Sequence, residues 1–317
     1  MPESITPVQP SMRTMRIGVD IGGTKTEAVA IDGDNHVLHT LRRPTGHGNR
    51  ELLRTLFDVI GELRSAGDLA GYSVASVGIG IPGTVDTFSG HVSNAVNVGV
   101  ASLELGTLAH RELGLEVHVE NDVNAAALGA HHLLSEGQEF RQKSSAYLNL
   151  GTGLAAGFVS NGALVRGASG AAGEIGHLPM GLHAGRCPCG QTGCLEMLAS
   201  GSGIARQWEG EGPWPAVSLF EQALTGHPQA RAIQDRFFQA TATAIRVLGL
   251  TYDPSTVYVG GGLNALGQPL LSGIRQELAR TDAQSPFLAG LALGQRVRLV
   301  PPGLPIGAVG AAIPAAA

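Results

Sequence analysis

The feature that most constrains the fold is a pattern that occurs twice. Residues 16–35 read RIGVD, then a Gly-Gly-Thr turn, EAVAI and the turn DGDN; residues 147–162 read YLNL, the turn GTG, LAAGFV and the turn SNG. Each copy is an apolar strand, a glycine turn with threonine, a return strand and an Asn/Asp/Gly turn. A duplicated two-domain architecture leaves such a trace. Two unrelated hairpins would leave one as well, because few residues match between the copies. In the first copy His36–Leu41 supplies a third strand, so the chain opens with a meander and not with a βαβ unit.

Between and after the copies, strands alternate with helices. Leu52, Leu53, Leu56, Phe57, Ile60 and Leu63 recur at helical spacing. Val74–Ile81 and Val117–Val119 read as strands, Leu103–Leu113 as a helix, and a further helix follows Asn121-Asp122 from about residue 124 to 134. Gln229–Leu250 is a long helix, Thr256–Val259 a strand that ends in three glycines, and Pro269–Ala279 a helix. The class is α/β. Residues 1–14 carry three prolines and no periodicity, so they read as a disordered tail. A small domain is expected over 15–120, with the C-terminal segment able to pack back onto it, and a large one over 121–317.

Composition excludes several classes. Apolar residues make up 43% of 317, enough for two cores, and the net charge of -5 argues against a nucleic-acid footprint. No long uncharged apolar run suggests a membrane span. The first fourteen residues hold no apolar signal segment, so the chain reads as cytoplasmic. Three cysteines in a chain of this length are no disulfide scaffold.

Those three, Cys187, Cys189 and Cys194, lie within eight residues of one another, ten residues after His177. Three thiolates and an imidazole suit a tetrahedral zinc ion, and glycines at 185, 190 and 193 would let the backbone wrap around it. Such a site has no open position and would be structural. The alternative is three thiols beside an unrelated histidine.

Asp20 ends a strand beside Gly22, Gly23, Thr24 and Lys25. Amides of such a turn can cradle phosphate oxygens, and the acid can face a metal ion. Gly151, Thr152 and Gly153 form a second such turn, and Gly261 and Gly262 offer a bare surface for a nucleotide. Neither G-x4-G-K-[ST] nor G-x-G-x-x-G occurs at these turns. Asp122 can act as the base of a phosphoryl transfer or as a helix N-cap, and from the residues alone the cap is the simpler reading. Glu174 and Glu196 bracket the cysteine cluster. Taken singly they read as surface acids; beside a bound zinc they would be fixed acceptors for polyol hydroxyls.

The combination DIGGTK (20–25), GIPG (80–83), END (120–122), LGTG (150–153), AGEIGH (172–177), CPCGQTGCLE (187–196) and GGGL (260–263) resembles the ROK family, which contains bacterial repressors and sugar kinases. The resemblance implies the actin-like ATPase/sugar kinase (ribonuclease H-like) fold, with two domains around a cleft, each carrying a mixed five-stranded sheet. It implies Asp122 as catalytic base. It places Asn97, Asn121, Glu174, His177 and Glu196 at the sugar, with His177 serving zinc through its other ring nitrogen. Asp20, Gly22–Lys25 and Gly151–Gly153 would surround the phosphates and Mg²⁺, and Gly261 and Gly262 the adenosine of ATP. The implied reaction is ATP-dependent phosphorylation of a hexose, with glucose leading. Fructose, mannose and N-acetylhexosamines are alternatives, and a non-catalytic sugar sensor is the alternative of another class. A homodimer or homotetramer is implied as well. One departure stands out: Asn97 leads into Val98-Gly99-Val100, where sugar kinases of the family often continue to a tryptophan. Regulatory members carry an added N-terminal helix-turn-helix, for which fourteen residues are too few.

Overall fold

The computed structural model describes residues 12–135, 144–181, 184–210 and 214–314. The chain divides into two compact units. The first runs to Asp122 and takes in Ala311–Pro314; the second is Val123–Gly310.

In the first unit the strands are β1 (Arg13–Ile21), β2 (Lys25–Ile31), β3 (Val37–Pro44), β4 (Tyr72–Ile81), β5 (Thr84–Asp86), β6 (His91–Ala95), β7 (Val100–Leu103) and β8 (Glu116–Asn121). A five-stranded sheet has the order β3-β2-β1-β4-β8, and β5-β6-β7 form a small antiparallel sheet. β1 pairs antiparallel with β2 and parallel with β4. The central strands present one apolar face at alternate positions: Ile17 and Val19 of β1 and Val77, Ile79 and Ile81 of β4 are fully buried. The helix Asn49–Ser65 adds Leu52, Leu56, Val59, Ile60 and Leu63 to the same core. Each such side chain contributes about 1.5–3 kcal/mol on burial.

The second unit repeats this plan. Its strands are β9 (Ser145–Leu150), β10 (Leu154–Ser160), β11 (Ala163–Leu164), β12 (Thr256–Gly260) and β13 (Val297–Leu299), in the order β11-β10-β9-β12-β13. β9 pairs antiparallel with β10 and parallel with β12. Strand for strand this is the topology of the first sheet: a meander of three, then two parallel strands added on the far side of the first. The helix Pro228–Thr251 buries Ile233, Phe237, Ile245 and Leu248 in this core.

Several elements differ from the sequence reading. β1 begins at Arg13, inside the stretch read as a tail, because Arg13 and Thr14 pair with Tyr72 and Ser73 of β4; residues 1–11 lie outside the described residues. Helices Gly201–Gln207 and Pro215–Leu224 and the small sheet β5–β7 are absent from the sequence reading, although Ala216, Leu219, Phe220 and Ala223 recur at helical spacing. The helix expected from about residue 124 starts at Asp122, which makes Asp122 its first helical residue and not a residue before it. Among the described residues no helix is long and apolar enough to cross a membrane.

Candidate active site

In the first unit, β1 and β2 deliver a carboxylate and a turn to one place. Asp20 sits at the end of β1, directly opposite Glu27 of β2 and Gly80 of β4. Glu27 is buried and forms an ion pair with Arg42 of β3. Burial first, then the nearby carboxylates of Asp122 and Glu27, push the Asp20 carboxyl up to about 7; Lys25 works weakly in the other direction. Asp122 therefore lies within electrostatic reach of Asp20.

The turn Gly22–Lys25 connects the two strands. The Gly22 amide donates to the Lys25 carbonyl at 3.0 Å, closing the turn. A Cβ placed on Gly23 would stand 3.5 Å from the Asn97 side chain, so the turn and the candidate sugar residue are neighbours. Asn97 itself is exposed, in the short turn Val96–Val98, while Val98 points into the core and the ring of His47 lies against Gly99. Asn121 donates from Nδ2 to the Gly83 carbonyl at 3.2 Å, and its amide donates to Glu120 at 2.9 Å. The first unit thus brings Asp20, Gly22, Gly23, Thr24, Lys25, Asn97, Asn121 and Asp122 to the same end of its sheet.

In the second unit the turn Gly151–Gly153 stands at the corresponding end of β9. Its carbonyls accept from the start of the helix Gly201–Gln207: Gly201 donates to Gly151 at 2.8 Å and Ser202 to Thr152 at 3.1 Å. A Cβ on Gly153 would lie 3.1 Å from Glu196 Oε2, which joins this turn to the cysteine region. Gly261 has φ 82°, a conformation glycine adopts without strain, and a Cβ there would strike Asn149 Oδ1 and the Leu150 carbonyl carbon, both at 2.5 Å. Gly262 is exposed. The Gly151–Gly153 turn, Gly261 and Glu196 therefore form one surface.

Beside it lies the donor set. His177 Nδ1, Cys187, Cys189 and Cys194 present four ligand atoms within 4.8 Å of one another. The Cys189 and Cys194 sulfurs are 3.6 Å apart, and Cys187 is 4.0 Å from His177 Nδ1. A tetrahedral zinc with Zn–S of about 2.3 Å requires sulfurs about 3.8 Å apart, so the set fits. Glycines 185, 190 and 193 have φ of 79°, 98° and 89° and let the chain turn back on itself there. Burial pushes the Cys187 and Cys194 thiols up, while a backbone hydrogen bond from Gln191 brings exposed Cys189 down to about 7. On its other side His177 Nε2 faces Glu174 at 3.9 Å; Glu196 lies on the sulfur side, 3.9 Å from Nδ1 and 3.0 Å from the Cys187 sulfur. The imidazole thus has Nδ1 among the sulfurs and Glu196, and Nε2 toward the Glu174 carboxylate, which can accept a hydrogen bond from a hydroxyl.

Two contributors were not visible in the sequence. Thr45, fully buried, touches the first turn from behind, and the helix start at Gly201 does the same for the second. Neither lies near its turn along the chain, so no local pattern could reveal it.

Comparison with known proteins assigns the family. The ROK family matches residues 16–296. A glucokinase from Halalkalibacterium halodurans is 30% identical over 279 residues, covering 82% of this chain and 84% of its own. An N-acetyl-D-glucosamine kinase from Haemophilus influenzae is 34% identical over 293 residues, covering 86% and 93%. The crystal structure of a ROK family glucokinase from Streptomyces griseus, in complex with glucose and AMPPNP, superposes with a TM-score of 0.74 at 29% identity, covering 94% of this chain and 98% of that one. The chain belongs to the ROK family.

Proposed function

We propose that this chain is an ATP-dependent hexose kinase that moves the γ-phosphoryl group to the terminal hydroxyl of glucose. It is an enzyme, a phosphotransferase of the ROK family. The observation that carries the reading is that strand register brings Asp20, the Gly22–Lys25 turn and the Asn121-Asp122 junction to one end of the first unit's sheet. Phosphoryl transfer needs little covalent chemistry; it needs a base at the attacking hydroxyl, donors for the phosphate oxygens and exact placement. Asp122 accepts the hydroxyl proton as the P–O bond forms. Amides of Gly23, Thr24, Thr152 and Gly153 donate to phosphate oxygens, and Lys25 adds positive charge. Asp20 holds Mg²⁺, which when bound offsets charge on the transferred group.

Asn97, Asn121, Glu174, His177 and Glu196 receive the sugar hydroxyls. His177 serves the sugar through Nε2 while Nδ1 joins Cys187, Cys189 and Cys194 around a structural zinc; that division fits the two environments of its ring. Gly261 and Gly262 border the adenosine. In this reading the small domain spans residues 15–120 and the large one 121–317, and the bound substrates are shielded from water. The protein works in the cytoplasm as a homodimer or homotetramer, without nucleic acid or membrane.

A second reading keeps the mechanism and changes the sugar. The N-acetyl-D-glucosamine kinase is 34% identical to this chain, against 30% for the glucokinase, so an N-acetylhexosamine is the competing substrate. ADP release with Mg²⁺·ATP and a panel of glucose, N-acetylglucosamine, N-acetylmannosamine, mannose and fructose decides between them. We expect the highest kcat/KM with glucose. No hexose-dependent ADP release from any of the five would reject kinase activity and leave a sugar-sensing protein.

A further inference from the structure

The first glycine turn owes its shape to a residue that follows it by two strands. Thr45 comes just after β3 and is 1% exposed. Its amide donates to the Thr24 carbonyl at 3.2 Å, and its hydroxyl donates to the Gly22 carbonyl at 2.7 Å. The hydroxyl has one proton, and that proton is committed to Gly22. The 3.0 Å contact between the Thr26 and Thr45 hydroxyls is then donated by Thr26, itself buried. A directed chain results: Thr26 O–H to Thr45, Thr45 O–H to Gly22. It fixes a hydroxyl rotor that would otherwise have three choices.

The consequence falls on the other side of the turn. With the Gly22 and Thr24 carbonyls engaged from behind, the intervening amides have nowhere inside to go. Among the described residues the N–H groups of Gly23 and Thr24 make no hydrogen bond, and both residues are exposed. Backbone amides held outward in this way are suited to an anion such as a phosphate.

We propose that Thr45 is a positioning residue of the nucleotide site, holding the Gly22–Lys25 turn so that its amides face the phosphates of ATP. The inference rests on the kinase reading above. Thr45 touches no substrate in this scheme; it acts through Gly22 and Thr24.

The test compares Thr45→Val, which keeps the shape and the amide but removes the hydroxyl, with Thr45→Ser, which keeps the hydroxyl. Calorimetry on the full chain measures the affinity for Mg²⁺·AMPPNP and, separately, for glucose and N-acetylglucosamine. Loss of one buried hydrogen bond to the turn should weaken nucleotide binding about tenfold in Thr45→Val. Thr45→Ser should stay within about twofold of the parent, and sugar affinity should not move in either. A merely structural role would weaken both ligands alike and would not be rescued by serine. Nucleotide affinity unchanged in a folded Thr45→Val, or equal losses for nucleotide and sugar, would overturn the proposal. If Thr45→Val does not fold, Thr26→Val removes the donor at the head of the chain; a nucleotide-only loss of about threefold is expected, and no loss would count against Thr45. A parent protein that binds nucleotide while Thr45→Val binds it equally well sinks Thr45 alone. A parent that neither binds nucleotide nor releases ADP sinks the kinase reading, and Thr45 with it.

Discussion

The two glycine turns have the same local form and are held by different means. At Gly22–Lys25 the carbonyls are gripped by Thr45, through a side-chain hydroxyl and one amide. At Gly151–Gly153 they are gripped by the amides of Gly201 and Ser202 at the start of a helix, and among the described residues the Gly151 and Thr152 carbonyls accept no side-chain hydrogen bond. A Cβ on Gly201 would already stand 3.1 Å from the Gly151 carbonyl oxygen, so the helix start depends on close approach. The contrast extends outward from the turns. The first unit surrounds its turn with carboxylates in strand register, Glu27 and Asp20, with Asp122 near. The second surrounds its turn with a cluster of sulfur and imidazole donors. A turn clamped by a side chain is sensitive to residue type; one clamped by backbone amides tolerates changes of side chain and is sensitive to backbone geometry.

This difference can be broken or sharpened by substitution. The largest effect is expected in the first unit, where the base lies. Asp122→Asn should lower kcat by about 10²-fold or more while hexose affinity is kept. The contrasting change in the second unit, Glu174→Gln, should act mainly on the sugar and weaken hexose affinity about tenfold. Steady-state kinetics with varied hexose separates the two, and near-parental turnover in Asp122→Asn would remove it as the base.

Next in size is the loss of metal. Cys194→Ser, or a chelator, should lower the melting temperature by roughly 5 °C or more and weaken hexose binding. Nucleotide affinity in the first unit's turn should change least. Metal analysis of the purified protein should find about one zinc per chain.

Asp20 gives a smaller and pH-dependent effect. Its carboxyl is raised from 3.8 to about 7 in the folded chain, so the folded state holds the proton more tightly than the unfolded one. Stability from this group is therefore complete below about pH 4 and lost as pH rises toward about 7. Without Mg²⁺ or nucleotide, Asp20→Asn should melt with the parent near pH 4 and several degrees above it at pH 8. A constant difference across that range would mean that burial and the neighbouring carboxylates do not act on Asp20 as described.

The smallest effect carries the comparison most directly. Ser202→Ala leaves the Ser202 amide in place, so nucleotide affinity should stay within about twofold, against the tenfold loss expected of Thr45→Val. A large loss in Ser202→Ala would show that the second turn, too, depends on a side chain.

Much of this was legible in the residues. The repeated strand, turn and strand marked both sheets at their first two strands, because apolar runs between glycine turns are local signals. Cys187, Cys189, Cys194 and His177 were legible as a donor set because three of the four lie within one short loop. The meander of the first unit was legible, but the parallel strands added beside β1 and β9 were not placed by local signals, since pairing between β1 and β4, or between β9 and β12, is decided by which apolar faces cover one another. The start of the helix at Asp122 was missed by two residues, because Asn121 and Asp122 are both good capping residues and only the pairing of β8 as far as Asn121 fixes where the strand stops.

The sequence by itself determined the chemistry available: two threonine-glycine turns, an acid at the end of a strand, an acid at the head of a helix, and three thiols with an imidazole. Each is a short-range feature, set by residues within a few positions of one another. Tertiary structure alone decided that Glu27 and Asp122 press on Asp20, that His177 divides its two nitrogens between sulfur and carboxylate, and that Thr45 reaches back to the turn before β2. Those contacts join residues far apart along the chain, and their energies exist only once burial has removed water from between them.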